Sequence, residues 1–224
     1  MVITMKECIK VVLATRNKHK TAELTELFSD LGFSLGFVTL DEAGFDGEIA
    51  EDGNSFEDNA LIKARAAARE CNMTAVADDS GLEVDALGGK PGIYSARYAG
   101  TGSDADNNRK LLSEMEVVPD EKRTARFVCA MALVMPDGAE IAVRGTCEGT
   151  VTRAPRGSGT FGYDPLFFYP PLGATFAELS PAQKNSVSHR GRAVRLLAEK
   201  IASDEKICNA LSAPSAFVDK RDAL

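Results

Sequence analysis

The sequence predicts an α/β fold with a mixed central sheet and helices on its faces. Three observations predict it. The N-terminal third alternates β-branched apolar runs with amphipathic helical patterns, in the order β-α-β-α-β. Two long runs separated by PDG at 136–138 then read as a β-hairpin. The last strongly periodic stretch is helical again.

Each element has its own signal. Ile9 to Ala14 (IKVVLA) reads as a buried strand. Leu24, Leu27, Phe28 and Leu31 fall at i, i+3, i+4 and i+7, the apolar stripe of a helix from Lys18 to Leu31 closed by Gly32. A strand is expected near Leu35 to Leu40, then an acidic, Gly-containing loop from Asp41 to Asn54. Ser55 is a good N-cap, with Glu57 and Asp58 in the first turn of an Ala-rich helix ending at Cys71. Its expected inner face carries Leu61, Ala64, Ala68 and Cys71. Met73 to Ala77 is the next strand, which leaves Asp78 and Asp79 side by side at its end. Residues 88–102 read as a long Gly-dense loop, and Asp104 to Met115 as a short helix. Arg123 to Met135 and Glu140 to Val151 form the hairpin, and Arg153 to Pro171 reads as irregular. Ser188 to Ile201 is a final helix with Val194, Leu197, Ala198 and Ile201 on one side, and the segment from Ser203 reads as a loose tail.

Composition narrows the function. The 224 residues suffice for a sizeable core in one large domain or two small lobes, and 44% apolar with 26% charged is ordinary for a globular protein. No run of about 18 apolar residues exists, so no membrane span is expected. The start MVITMKECIK has no apolar core of a secretory signal. Five cysteines (8, 71, 129, 147, 208) without a CxxC point to reduced thiols and a cytoplasmic setting. A net charge of −7 disfavours nucleic acid as a partner.

Four segments carry candidate chemistry. ATRNKHK (14–20) lies at a strand-to-helix junction, where free backbone N–H groups and cationic side chains suit a phosphate chain; a solvated, Asn-capped first turn suits it equally. ADDSG (77–81) pairs two carboxylates; Mg²⁺ takes one or two carboxylates plus substrate phosphates, though such a pair is often a turn or a cap. GTFGYDP (159–165) puts an aromatic between glycines, either to stack on a base or as a packed turn. In SPAQKNSVSHRGR (180–192), Ser188 caps a helix that begins with His189 and Arg190, with Lys184 upstream. Together they make an inventory for a Mg-nucleotide.

These motifs resemble a known family. Thr15, Asn17 and Lys20 of a T-x-N-x-x-K pattern, then SFEDNALIKA, ADDSGLEVDALGGKPGIYSARYAG, GTFGYDP and SHR occur in the order found in the inosine/xanthosine triphosphate pyrophosphatases, of the RdgB and inosine triphosphatase type. The resemblance covers about Ile9 to Ile201 of a single domain spanning 1–224. It implies an elongated, two-lobed α/β fold with the active site in the cleft between the lobes, and a homodimer. It implies Mg²⁺-dependent hydrolysis of ITP, dITP and XTP to monophosphate and pyrophosphate, which cleanses the nucleotide pool. Carried over motif by motif, Thr15, Arg16, Asn17, Lys18, His19 and Lys20 take the triphosphate. Asp79 is general base and metal ligand, and Ser80 contacts substrate. Phe161, Gly162, Tyr163, Asp164, Lys184, His189 and Arg190 contact the nucleotide and its base.

The chain departs from the pattern twice. Arg16 stands where the family often has Gly. In the run Ile49-Ala50-Glu51-Asp52-Gly53, strict alignment puts Ala50 at a metal-ligand position, so either Glu51 substitutes or a water fills the site. The alternatives are a Maf-type pyrophosphatase, against which SHR and FGYDP argue, and a weakly catalytic nucleotide-binding protein, for which Ala50 leaves room.

Overall fold

The computed structural model describes residues 9–31, 35–158 and 161–212. Cys8, Gly32, Gly159, Thr160 and the end of the expected tail from 213 lie outside the described residues. Among the described residues seven strands form one mixed sheet: β1 (Ile9–Leu13), β2 (Leu35–Thr39), β3 (Ala75–Val84), β4 (Thr124–Val134), β5 (Glu140–Val151), β6 (Phe167–Tyr169) and β7 (Ala174–Thr175), in the order β2-β1-β3-β4-β5-β6-β7. β1 runs parallel to β2 and β3, and every later pairing is antiparallel. Among the described residues no helix is long and apolar enough to cross a membrane.

Helices cover both faces. α1 (Lys18–Asp30) and α5 (His189–Ser203) pack on one, where Leu24, Leu27, Phe28, Val194 and Leu197 meet Val11, Leu13, Val76 and Met131. α2 (Phe56–Cys71) packs on the other, where Phe56, Ala60, Ala64 and Ala67 meet Val12, Ala75, Ala77 and Ala130. The small Ala side chains of α2 bring its backbone close to the sheet. A third apolar cluster builds the far end of the molecule: Leu82, Val84, Phe127, Phe167 and Phe176 enclose Leu111 and Met115, at and just after α3 (Asp104–Glu114). α4 (Pro181–Val187) joins α5 through Ser188, which ends one helix and caps the other by accepting from Gly191 N–H at 3.1 Å.

Several expectations need correction. The strand expected at Met73 to Ala77 begins at Ala75 and runs ten residues to Val84, so Asp78 and Asp79 lie inside it and not at its end. β4 pairs with it along that whole length, Asp78 opposite Met131 and Asp79 opposite Ala130. Two adjacent carboxylates are tolerated mid-strand because the pleat sends them to opposite faces. The Gly-dense loop contains a 3₁₀ turn at Gly92–Arg97, and the irregular stretch contains β6. Leu31 is exposed, one residue past the helix end. The expected tail begins with α6 (Glu205–Ser212), which buries Ile207 in the α1/α5 core. On α2 the expected Ala64 and Ala68 are buried, joined by Phe56, Ala60, Ala67 and the polar Asn59 and Lys63, while Leu61 and Cys71 are only partly buried.

Candidate active site

The alternation of β3 decides what each acidic residue meets. Asp78 points to the face of α1 and α5. Its Oδ2 lies 3.0 Å from Lys20 Nζ and 3.3 Å from Arg190 Nη2, and it accepts from Ser80 Oγ at 3.2 Å. Burial alone would raise this carboxyl, but Lys20, Arg190 and Lys63 outweigh it and hold it far below the usual carboxylate range. Arg190 is itself buried between Asp78 and Glu23, whose Oε2 is 2.6 Å from Nη1, and its Nη2 donates to Ser80 Oγ at 3.0 Å. Asp78 is thus enclosed by the fold.

Asp79 points to the other face, toward α2. Asn59 Nδ2 donates to its Oδ2 at 3.1 Å, and Lys63 Nζ lies 3.3 Å from its Oδ1. Asn59 is oriented in turn by Gly53 N–H, which donates to its Oδ1 at 2.9 Å. The same Lys63 nitrogen is 3.1 Å from Glu51 Oε1. Burial raises the Asp79 carboxyl, and Lys63 and Asn59 offset this only in part. Burial also opposes the charge on Lys63, but Asp79, Asp78 and Glu51 outweigh it, so Lys63 stays an ammonium. Gly81 lets the strand pass beneath the 92–97 turn: a Cβ there would collide with Ser95 Oγ and the Gly92 carbonyl.

Asp79, Glu51 and Lys63 open into a cleft of about 450 Å³, within the roughly 300–1,000 Å³ of small-molecule sites. Of the expected residues, Thr15, Arg16, Asn17, Lys20, Ser80, Phe161, Gly162, Tyr163, Asp164, Lys184, His189 and Arg190 all line it. Lys18 and His19 do not, although the His19 ring lies 5.4 Å from Phe161. Arg16 turns toward the 41–47 loop: it pairs with Asp41 at 3.3 Å and donates to the carbonyls of Phe45 and Gly47. The expected free amides at the start of α1 are partly taken, since Asn17 Oδ1 accepts from His19 N–H and Lys20 N–H.

The other end of the cleft is aromatic. His189 is buried and stacked on Phe127 at 4.7 Å. Burial, Arg190 and Lys184 push its pKa well below the usual histidine value, so the ring is neutral, and its Nδ1 has no hydrogen-bond partner among the described residues. Lys184 Nζ sits 2.7 Å from Asp164 Oδ2 and 5.5 Å from the centre of the Phe161 ring. Burial raises the Asp164 carboxyl against the pull of Lys184.

The family model described as the Ham1 family matches residues 11–200. The chain belongs to the Ham1 family. A dITP/XTP pyrophosphatase of Geobacter sulfurreducens is 51% identical over 193 residues, covering 86% of this chain and 96% of the relative. One of Desulforamulus reducens is 52% identical over 188 residues, covering 84% and 92%. Among solved structures, a HAM1 protein from Coxiella burnetii superposes with a TM-score of 0.79 at 41% identity, covering 88% of this chain and all (100%) of that one.

In this Ham1 chain, sequence reasoning missed Asn59, Lys63 and Glu23. A signal for the first two existed. Asn59 and Lys63 are four residues apart, hence on one face of α2, and that face is otherwise apolar. Glu23 carried no such mark. The donor set also suits a hard divalent cation: two carboxylates, Glu51 and Asp79, already share one positive charge on Lys63. Among the described residues no group of three or more His, Cys, Asp or Glu could hold a metal. Two carboxylates match an ion such as Mg²⁺, which completes its shell with water and substrate phosphates.

Proposed function

We propose that this chain is a dITP/XTP pyrophosphatase, a hydrolase that takes ITP, dITP and XTP to the monophosphate and pyrophosphate and so removes deaminated purines from the nucleotide pool. The observation that carries the reading is the division of the acidic pair. Asp78 is used up in ion pairs of the fold, while Asp79 opens beside Glu51 into a cleft with cations near it and aromatic rings at its other end.

Asp79 accepts the proton of the attacking water. Mg²⁺ on the same carboxylate would lower its proton affinity, so this role rests on the place of Asp79 at the open cleft beside Glu51 and not on its burial-raised carboxyl. Glu51 and Asp79 would hold Mg²⁺, and Ala50 would play no part. When bound, the ion neutralises triphosphate charge at the reacting phosphorus. Thr15, Asn17, Lys20 and Lys63 hold the phosphates in line, as phosphoryl transfer requires. Arg16 anchors the 41–47 loop, and Lys18 contributes only from outside the cleft. Phe161 stacks on the purine. Neutral His189, with Asp164 and Arg190 fixed by Lys184 and Glu23, reads the base edge. Donors matched to a 6-oxo group go unpaired against a 6-amino group, which rejects ATP. We also propose a cytoplasmic homodimer; the free thiols of Cys129 and Cys147 support the compartment.

The test incubates purified protein with ITP, GTP and ATP, with and without Mg²⁺, and resolves the products by chromatography. Mg-dependent IMP and pyrophosphate from ITP alone is the expected result. IDP with orthophosphate would place attack at the γ phosphorus and overturn the reading.

A further inference from the structure

We propose that α3 is a clamp that aims Phe161 at the purine, with Asp104 and Asn108 as positioning residues; this rests on the stacking role given to Phe161 above. A ring that partners a base must stay uncovered on one face, so packing cannot fix its direction and the backbone has to. Phe161 is only partly buried, and Gly162 follows it at φ +56°, a left-handed conformation at the most flexible residue type. Both backbone polar groups of Gly162 are gripped by one helix, which fixes the peptide on each side of its Cα. Its N–H donates to Asp104 Oδ2 at 2.7 Å, and its carbonyl accepts from Asn108 Nδ2 at 2.9 Å. The spacing of four puts both side chains on one face of α3, a turn apart. Between them, Asn107 holds a second cleft segment: its Oδ1 accepts from Ala99 N–H at 2.7 Å and its Nδ2 donates to the Ala96 carbonyl at 3.1 Å. Tyr163 Oη closes the bracket by donating to the Ser95 carbonyl at 2.9 Å.

A structural explanation exists for Asp104, since an acid in the first turn favours any helix. It does not explain Asn108, which keeps Oδ1 buried without a partner among the described residues while its Nδ2 reaches Gly162. Releasing the clamp lets residue 161 sample other directions, and the cost of ordering it again falls on base binding alone.

The test measures the calorimetric Kd of IMP and of pyrophosphate, with kcat and KM for ITP, on Asp104→Ala, Asn108→Leu and the rescue variant Asp104→Asn. Each of the first two should weaken IMP about tenfold, within the loss expected for one base–aromatic stack. Pyrophosphate affinity should hold, KM for ITP should rise, and kcat should change little. Asp104→Asn keeps an acceptor oxygen and should restore IMP binding. In a Phe161→Ala background neither substitution should weaken IMP further, because the clamp acts through that ring. Equal loss of IMP and pyrophosphate, or the same loss in the Phe161→Ala background, would overturn the clamp. A wild-type chain that binds IMP through α3 without hydrolysing ITP would overturn the hydrolytic reading and leave the clamp standing. One that bound no IMP would overturn both.

Discussion

Asp78 and Asp79 differ by one residue and by one face of a sheet, and that difference sets opposite outcomes for the same substitution. Asp78→Asn leaves Arg190 and Lys20 short of a buried counter-charge, so it should cost about 3–5 kcal/mol in urea unfolding. Asp79 has a raised carboxyl: any stability from its protonated form is gone once pH rises through the folded pKa, so at neutral pH its charge is already a burden. Asp79→Asn should therefore leave stability within about 1 kcal/mol, yet lower kcat by a factor of roughly 10²–10⁴, the usual worth of a general base. His189 gives a pH signature. Its folded pKa lies below the unfolded value of 6.5, so the unfolded chain binds the proton first and stability falls as pH drops below about 6.5. The loss should approach about 1.4 kcal/mol per pH unit. Unfolding measured from pH 7 to 5 should show this slope in the wild type and lose it in His189→Gln. Equal slopes would mean that other groups carry the effect.

Elements place these residues through close contacts between distant parts of the chain. α5 lies against β5 at Gly145, where a Cβ would meet the His189 carbonyl and the Ala193 backbone. Gly145→Ala must push α5 off the sheet, and should destabilise by about 1–3 kcal/mol as an overpacked contact. Because His189 and Arg190 open α5, base affinity should fall with Tm; a variant that lost Tm and kept its KM would show that the helix start is held by its Ser188 cap alone. Local signals served well for such elements. Ser55 and Ser188 were readable as caps because an N-cap is a one-residue chemistry. On the inner face of α2, Ala64 and Ala68 are buried as expected, but Asn59 and Lys63 displace Leu61, and no local rule ranks a lysine inside a leucine.

At the scale of the molecule, a chain of net charge −7 still lines one cleft with Arg16, Lys20, Lys63, Arg97, Lys184 and Arg190, and the proposed triphosphate would meet these cations and not the net charge. Chelation of Mg²⁺ should abolish ITP turnover, and adding the ion back should restore it; turnover in EDTA would remove the metal from the reading. Added salt should raise KM for ITP more than it changes kcat, since screening weakens attraction of the triphosphate. Sedimentation should give twice the 23.9 kDa chain mass; a monomer at assay concentration would exclude the homodimer.

The α/β class, the strand and helix sequence and many of the residues that line the cleft were legible in one dimension, because hydrophobic period, caps and turn residues act over a few neighbours. The assignment of Asp78 to the fold and Asp79 to the cleft was not. Nor were the turning of Arg16 to the 41–47 loop, the bridging of Glu51 and Asp79 by Lys63, or the extension of β3 through its acidic pair. Each depends on a partner 12 to 112 residues away. A buried charge takes its role from what faces it, and only the folded chain supplies the facing group.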